Sequence, residues 1–351
     1  MMMWHHLFLK GRFETYSIIF TPLTAEQVTR IASYCKLCVS LFAFISGYGL
    51  WKSYTSTKYS PQKWCLQRYL KTFSGYWFIV ILSWLICQPI NQRPYKVYGF
   101  EKSIFYGIWN MTAEILGISH LVQEYSEQSM LGTWWYMGAA LAFIMISPML
   151  FELMGRFGDI PTYAAVVLLP RVFFNFPGTG NFYSFLPVFL SGAIFAKNDL
   201  FEKISNWNLL PVTNQTAFSS IVKLMFLVFG CRVTYKWYCH IQISIWWDVA
   251  YGLFAIPPIM LSVELFHLFP LLREVLGFIG KHSANIFLTH NFIRVVFFTK
   301  FIYSRGHFVT IILCLLFISI GISVIVDFLK KITKYDSIVQ KFNFWLVSSD
   351  L

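Results

Sequence analysis

Residues 308–329 read FVTIILCLLFISIGISVIVDFL, an apolar run of 22 residues whose one charge is Asp327. A run of about 20 apolar residues is long enough to cross the hydrocarbon core of a bilayer as a helix, and a helix satisfies every backbone polar group internally, which lipid demands. The pattern recurs. Apolar runs occupy about 31–51, 72–90, 132–151, 162–176, 182–196, 217–231, 242–267, 275–299 and 308–329. A stub, MMMWHHLFL, precedes Lys10 with about half the length a span needs. Nine membrane helices plus this N-terminal half-helix predict an all-α, polytopic membrane bundle. Pro170, Pro187 and the pair Pro257-Pro258 interrupt three of the runs, as happens where helices kink or line a cavity.

Composition agrees with that reading. Of the residues 57% are hydrophobic and 13% charged, and the mean hydropathy is +0.57, outside the soluble range. The formal charge of +12 would suggest nucleic acid in a soluble chain. Here the basic residues sit between apolar runs, where they meet anionic headgroups and set orientation, so the expected partner is the lipid bilayer and not nucleic acid. No repeat or soluble segment interrupts the pattern. One membrane domain over 1–341 with a short tail at 342–351 is the economical division.

The segment after Leu50 is the most basic. Lys52, Lys58, Lys63, Arg68 and Lys71 follow the helix FAFISGYGL without one acid, and the segment reads as a cytoplasmic loop. Two readings stay open, a topological signal alone and a surface that holds an anion such as a nucleotide phosphate. Alternation from this loop places Lys197–Lys203 and the lysine-bearing tail inside, and 91–131, the longest loop, outside. Residues 11–30 also read as loop.

Polar groups within the apolar runs are informative because each costs about 2.5–3.5 kcal/mol at a helix centre unless it faces a cavity or a partner. They are His5 and His6 in the stub, Arg171, Asp248, and the pair His290 and Arg294, whose spacing of four places them on one helix face. An interfacial place for the two stub histidines, and a structural hydrogen bond for His290, stand beside the functional readings. Cys35 and Cys38 form a CxxC within an apolar helix and are expected to be packing residues, with no metal site. Cys231 and Cys239 flank what reads as a short outer loop, where a disulfide is one possibility.

In order along the chain, WHHLF, FAFISGYGL, RYLKTFSGYW, GTWWYMGAALAFIMISPML, FLPVFLSGAIFAKN and LGFIGKHSANIFLTHNFI together resemble the acyltransferase family 3 integral-membrane acyltransferases, many of which O-acetylate bacterial surface glycans. The family has a ten-helix core, so the resemblance implies a first helix cut short, with the arginine that usually precedes its histidine falling before Met1. It further implies an O-acyltransferase of the bacterial plasma membrane. This enzyme would move an acyl group, most simply from acetyl-CoA as co-substrate, to a hydroxyl of a carbohydrate or lipid-linked oligosaccharide. His5, with His6 as the alternative, would be the base. Arg68 and Lys71 would hold the CoA phosphates, with Ser46 and Tyr48 guiding the pantetheine or thioester. Trp134, Trp135, Tyr136, His290 and Arg294 would face the acceptor. The competing class is a glycan or lipid transporter, which would use the same intramembrane polar residues without chemistry; no internal symmetry of the transporter kind is visible.

Overall fold

Where the nine apolar runs fall on described residues they are largely helical, and several of the helices, α4 and α11 among them, extend well beyond their runs. The computed structural model describes residues 1–119, 121, 128–173, 182–206, 216–241 and 246–348. The N-terminal part holds α1 (Met2–Phe8), α2 (Ala25–Tyr34), α3 (Cys38–Thr55), α4 (Pro61–Asn91), α5 (Arg93–Tyr98) and α6 (Ile104–Leu116). The middle follows with α7 (Trp135–Phe157), α8 (Asp159–Phe173), α9 (Leu186–Lys197), α10 (Leu200–Ser205) and α11 (Thr216–Ile241). The chain continues as α12 (Trp247–Leu268), α13 (Pro270–Asn291), α14 (Thr299–Tyr303), α15 (Phe308–Ile332) and α16 (Tyr335–Ser348). No strand occurs among the described residues, apart from an isolated bridge between Ile19 and His307.

Five stretches are long and apolar enough to cross a membrane among the described residues: Ala25–Thr55, Pro61–Asn91, Gly132–Phe157, Trp247–Leu268 and Phe308–Ile332. The remaining runs are shorter, as in α8 and α9, or carry more charge, as in α11 with Lys223, Arg232 and Lys236. The way α15 distributes its side chains identifies the surrounding solvent. Ser319 and Ser323 are buried, whereas Phe317, Val324, Ile325 and Phe328 are exposed. A water-soluble helix does the reverse, so the chain is an integral membrane protein.

Three segments read as loops are in fact partly helical. The basic segment is one: Ser60 caps the Lys63 amide and Pro61 occupies the first turn, so α4 begins about ten residues before its apolar run and takes Lys63, Arg68 and Lys71 into the helix. Only residues 56–60 link α3 to α4. Within 11–30, α2 begins at Ala25, and within 91–131 lie α5 and α6. A search for full-length apolar spans passes over these helices, because α2 and the start of α4 are polar and α6, though apolar, has only 13 residues. The short loop between Cys231 and Cys239 is likewise absent. Both lie on the continuous α11, eight residues and hence about 12 Å of rise apart, too far for a disulfide, which needs Cα atoms within about 7 Å. The Cys239 side chain lies outside the described residues.

The chain packs as two compact units. The first comprises Met1–Leu9, Glu26–Thr57 and Ile146–Phe278; the second comprises Lys10–Ala25, Lys58–Met145 and Ile279–Leu351. The first is built around the crossing of α3 and α9. Gly47 lies directly on the Phe189 carbonyl and Gly192 directly on the Phe44 carbonyl, a reciprocal contact in which any Cβ would collide with the facing backbone. Cys35 and Cys38 are buried nearby in sequence and carry no disulfide. Arg171 on α8 and Asp248 on α12, both flagged by their apolar surroundings, form an ion pair of 2.5 Å, and the guanidinium also stacks 4.6 Å from the centre of the Trp246 ring. The second unit is centred on Phe73, Tyr76, Val80, Trp134, Met137, Leu288 and Val326, which draw α4, α7 with the turn before it, α13 and α15 together.

Candidate functional site

In the first unit, His5 and His6 lie in the last turn of α1. The His5 Nδ1 is 2.8 Å from the Ala32 carbonyl, which can only accept, so Nδ1 carries the proton and donates it. That bond fixes the ring and its tautomer, making Nε2 the basic nitrogen. A neighbouring bond, from the Trp4 indole to the Val28 carbonyl at 3.2 Å, ties α1 to α2 a second time. His6 sits edge-on to His5 at 5.1 Å between ring centres. In the same unit, Ser46 and Tyr48 flank Gly47 near the middle of α3; Ser46 is half-buried and the Tyr48 ring lies 5.3 Å from that of Phe201.

In the second unit, Arg68 and Lys71 project one turn apart from α4, Lys71 exposed and Arg68 half-buried. The Arg68 Nε is buried without a hydrogen-bond partner. A buried N–H left in that state costs roughly 1–3 kcal/mol.

The aromatic trio divides. Trp134 is buried, donates its indole N–H to the Leu288 carbonyl at 3.0 Å and packs edge-on against Tyr76 and Phe292. It is a core residue and presents no face to a sugar, which corrects the expectation for this position. Trp135 and Tyr136 are half-buried, and Tyr136 stands against Phe287. The pair His290 and Arg294 also divides. His290 is fully buried, and its Nδ1–H is shared between the Ile286 and Phe287 carbonyls at 2.9 Å each. The chain turns π-helical over Phe292–Phe297, so the two residues do not present one regular α-helical face. Arg294 is half-buried, and its Nε donates to Asn291 at 3.0 Å.

Two features escaped the sequence reading. Arg12 lies close enough to Arg294 for the charges to interact; burial first, then the Arg294 charge, lowers the pKa of its guanidinium. Glu114, at the end of α6 and outside the five candidate spans, is completely buried. It accepts hydrogen bonds from the Tyr98 and Ser129 hydroxyls and from the Met130 amide at 3.0 Å. The Arg93 guanidinium grips the Met130 carbonyl at 2.9 and 3.1 Å. A lone acid closing the apolar stretch IFYGIWNMTAEIL was the available signal.

Residues 1–328 match the model of a family described as an acyltransferase domain, the third of the acyltransferase families. No curated protein and no solved structure matches the chain.

Proposed function

This chain belongs to acyltransferase family 3, and from that premise we propose that it transfers an acyl group, most simply acetyl, from a cytoplasmic acyl-CoA to a hydroxyl of a cell-surface or lipid-linked glycan in the bacterial plasma membrane. The observation that carries the reading is the bond from His5 Nδ1 to the Ala32 carbonyl at 2.8 Å. A sugar hydroxyl is a poor nucleophile at neutral pH, and a positioned base that takes its proton as the new bond forms contributes roughly 10²–10⁴ in rate. With Nδ1–H held by the carbonyl, Nε2 of His5 is set up to take that proton. The hydroxyl oxygen then bonds to the thioester carbonyl carbon, the C–S bond breaks, and the departing thiolate is protonated to free CoA. His5 is preferred as the base because it directly follows the apolar start of the stub, and His6, edge-on to it at 5.1 Å between ring centres, is the alternative. Arg68 and Lys71 supply cations for the CoA phosphates, supported by the unpartnered Arg68 Nε. Ser46 and Tyr48 are assigned to the pantetheine or thioester, and Trp135, Tyr136, His290 and Arg294 to the acceptor side.

The test is transfer of radiolabel from acetyl-CoA into ester-linked cell-surface carbohydrate by cells expressing the full chain. His5→Ala is expected to lower transfer by about 10² or more while acetyl-CoA binding changes little; His6→Ala is expected to cost far less. Normal transfer by the His5→Ala, His6→Ala double variant would sink the mechanism. Export of glycan without label would favour the transporter.

A further inference from the structure

Lys330 lies at the end of α15, two residues beyond the span matched by the family. Its ammonium sits 3.7 Å from where a Cβ on Gly75 would stand and 5.6 Å from the centre of the Phe78 ring. Gly75 and Phe78 follow Arg68 on α4 by seven and ten residues, and Lys71 follows it by three. At 3.6 residues per turn, positions i, i+3, i+7 and i+10 form one stripe. Lys330 therefore places a third cation on the face of α4 that already carries Arg68 and Lys71, at intervals of about one turn, roughly 5 Å. A Cβ at Gly75 would stand in ordinary van der Waals contact with that ammonium, which places Lys330 directly against this part of α4.

The arrangement is held from outside the stripe. Tyr335, at the start of α16, donates its hydroxyl to the Ser74 carbonyl at 2.9 Å and packs its ring 5.0 Å from Phe78. Asp327, the acid one turn before Lys330, is engaged by α13, where it accepts from Asn285 at 2.9 Å and lies 3.3 Å from His282. Among the described residues, none of Arg68, Lys71 and Lys330 is ion-paired with an acid. Three unneutralised cations in one row, one of them with a buried and unpartnered N–H, match a ligand with phosphates at more than one position.

We propose that Lys330 is the third member of a phosphate-binding stripe with Arg68 and Lys71, and that its ligand is a nucleotide phosphorylated at two separated sites, as the CoA donor is with its diphosphate and ribose phosphate. This deepens the functional reading above and rests on it. The same phosphate chemistry could come from an anionic lipid headgroup, and the test separates the two.

The full chain is reconstituted in nanodiscs of phosphatidylcholine, and its Kd for acetyl-CoA is measured. Lys330→Ala is expected to raise Kd about tenfold or more, as loss of one charge-assisted contact should. Lys330→Arg is expected to stay within about threefold, since charge and reach are kept, and Lys331→Ala within about twofold, since its helix position points about 100° away from that of Lys330. An unchanged Kd in Lys330→Ala, with the wild type binding, overturns the third cation and leaves the acyltransferase reading standing. Equal loss in Lys330→Ala and Lys330→Arg means packing and not charge, and also overturns it. If Lys330→Ala alters retention of phosphatidylglycerol in mixed nanodiscs but not the Kd for acetyl-CoA, the ligand is a lipid and the proposal falls. Failure of the wild type to bind acetyl-CoA overturns both readings together.

Discussion

At the scale of single residues, the protein depends on a few polar groups placed where neither water nor lipid can serve them. Asp248 is 1% exposed and answers Arg171. Removing one partner of such a pair leaves the other charge uncompensated, so Asp248→Ala is expected to cost about 3–5 kcal/mol, read as a lowered unfolding temperature in detergent. Replacing both with apolar residues of similar volume is expected to recover most of that. Glu114 carries a pH signature. Burial pushes its carboxyl up to about 7, countered in part by the hydrogen bonds from Ser129, Tyr98 and the Met130 amide and by the Arg93 charge. Tyr98, which donates its hydroxyl to this carboxylate from outside the candidate spans, has its pKa raised by burial and by Glu114, and so remains neutral across this range. A carboxyl whose folded pKa is raised contributes stability that is fully present below its unfolded value, near 4.3, and is lost as pH rises through about 7. Melting curves from pH 4.5 to 8 should therefore show a fall in stability on the alkaline side that Glu114→Gln, fixed in the neutral form, flattens. An identical pH profile in the variant would assign the effect elsewhere.

At the scale of elements, the crossing of α3 and α9 sets the first unit. Gly47→Ala inserts a methyl into the Phe189 carbonyl and is expected to destabilise by about 1–3 kcal/mol, because the two backbones must separate. Gly49→Ala, two residues on, meets nothing within 4 Å and is expected to be neutral or mildly stabilising through helix propensity. Equal effects of the two would mean the crossing is not close. The contrast gives the glycine of the ISGY stretch a packing reason beside the substrate roles proposed for Ser46 and Tyr48. A different element, α4, shows how one capped turn changes a reading: Ser60 and Pro61 start the helix early, and Arg68 and Lys71 become fixed points on a rigid surface.

At the scale of the whole molecule, the orientation read from the basic segments can be checked directly. Cysteines introduced at the exposed positions Lys58 and Lys341 are expected to resist an impermeant maleimide in intact cells and to react after permeabilisation, whereas one at Lys102 should react at once. Labelling of all three in intact cells would overturn that topology. The sequence by itself determined the all-helical membrane class, the apolar runs and the family, because these rest on hydropathy and on short local patterns that need no folded partner. His5, Arg68 and Lys71 were also visible there as polar groups in or beside apolar runs. Only the tertiary structure decided that Trp134 is core and that Arg171 answers Asp248. It also showed that Glu114 closes the Ser129–Met130 corner and that Lys330 stands on the Arg68 face, more than 250 positions along the chain from that arginine. Those are pairings across long sequence separations, and periodicity within one helix carries no information about which face of another helix will meet it.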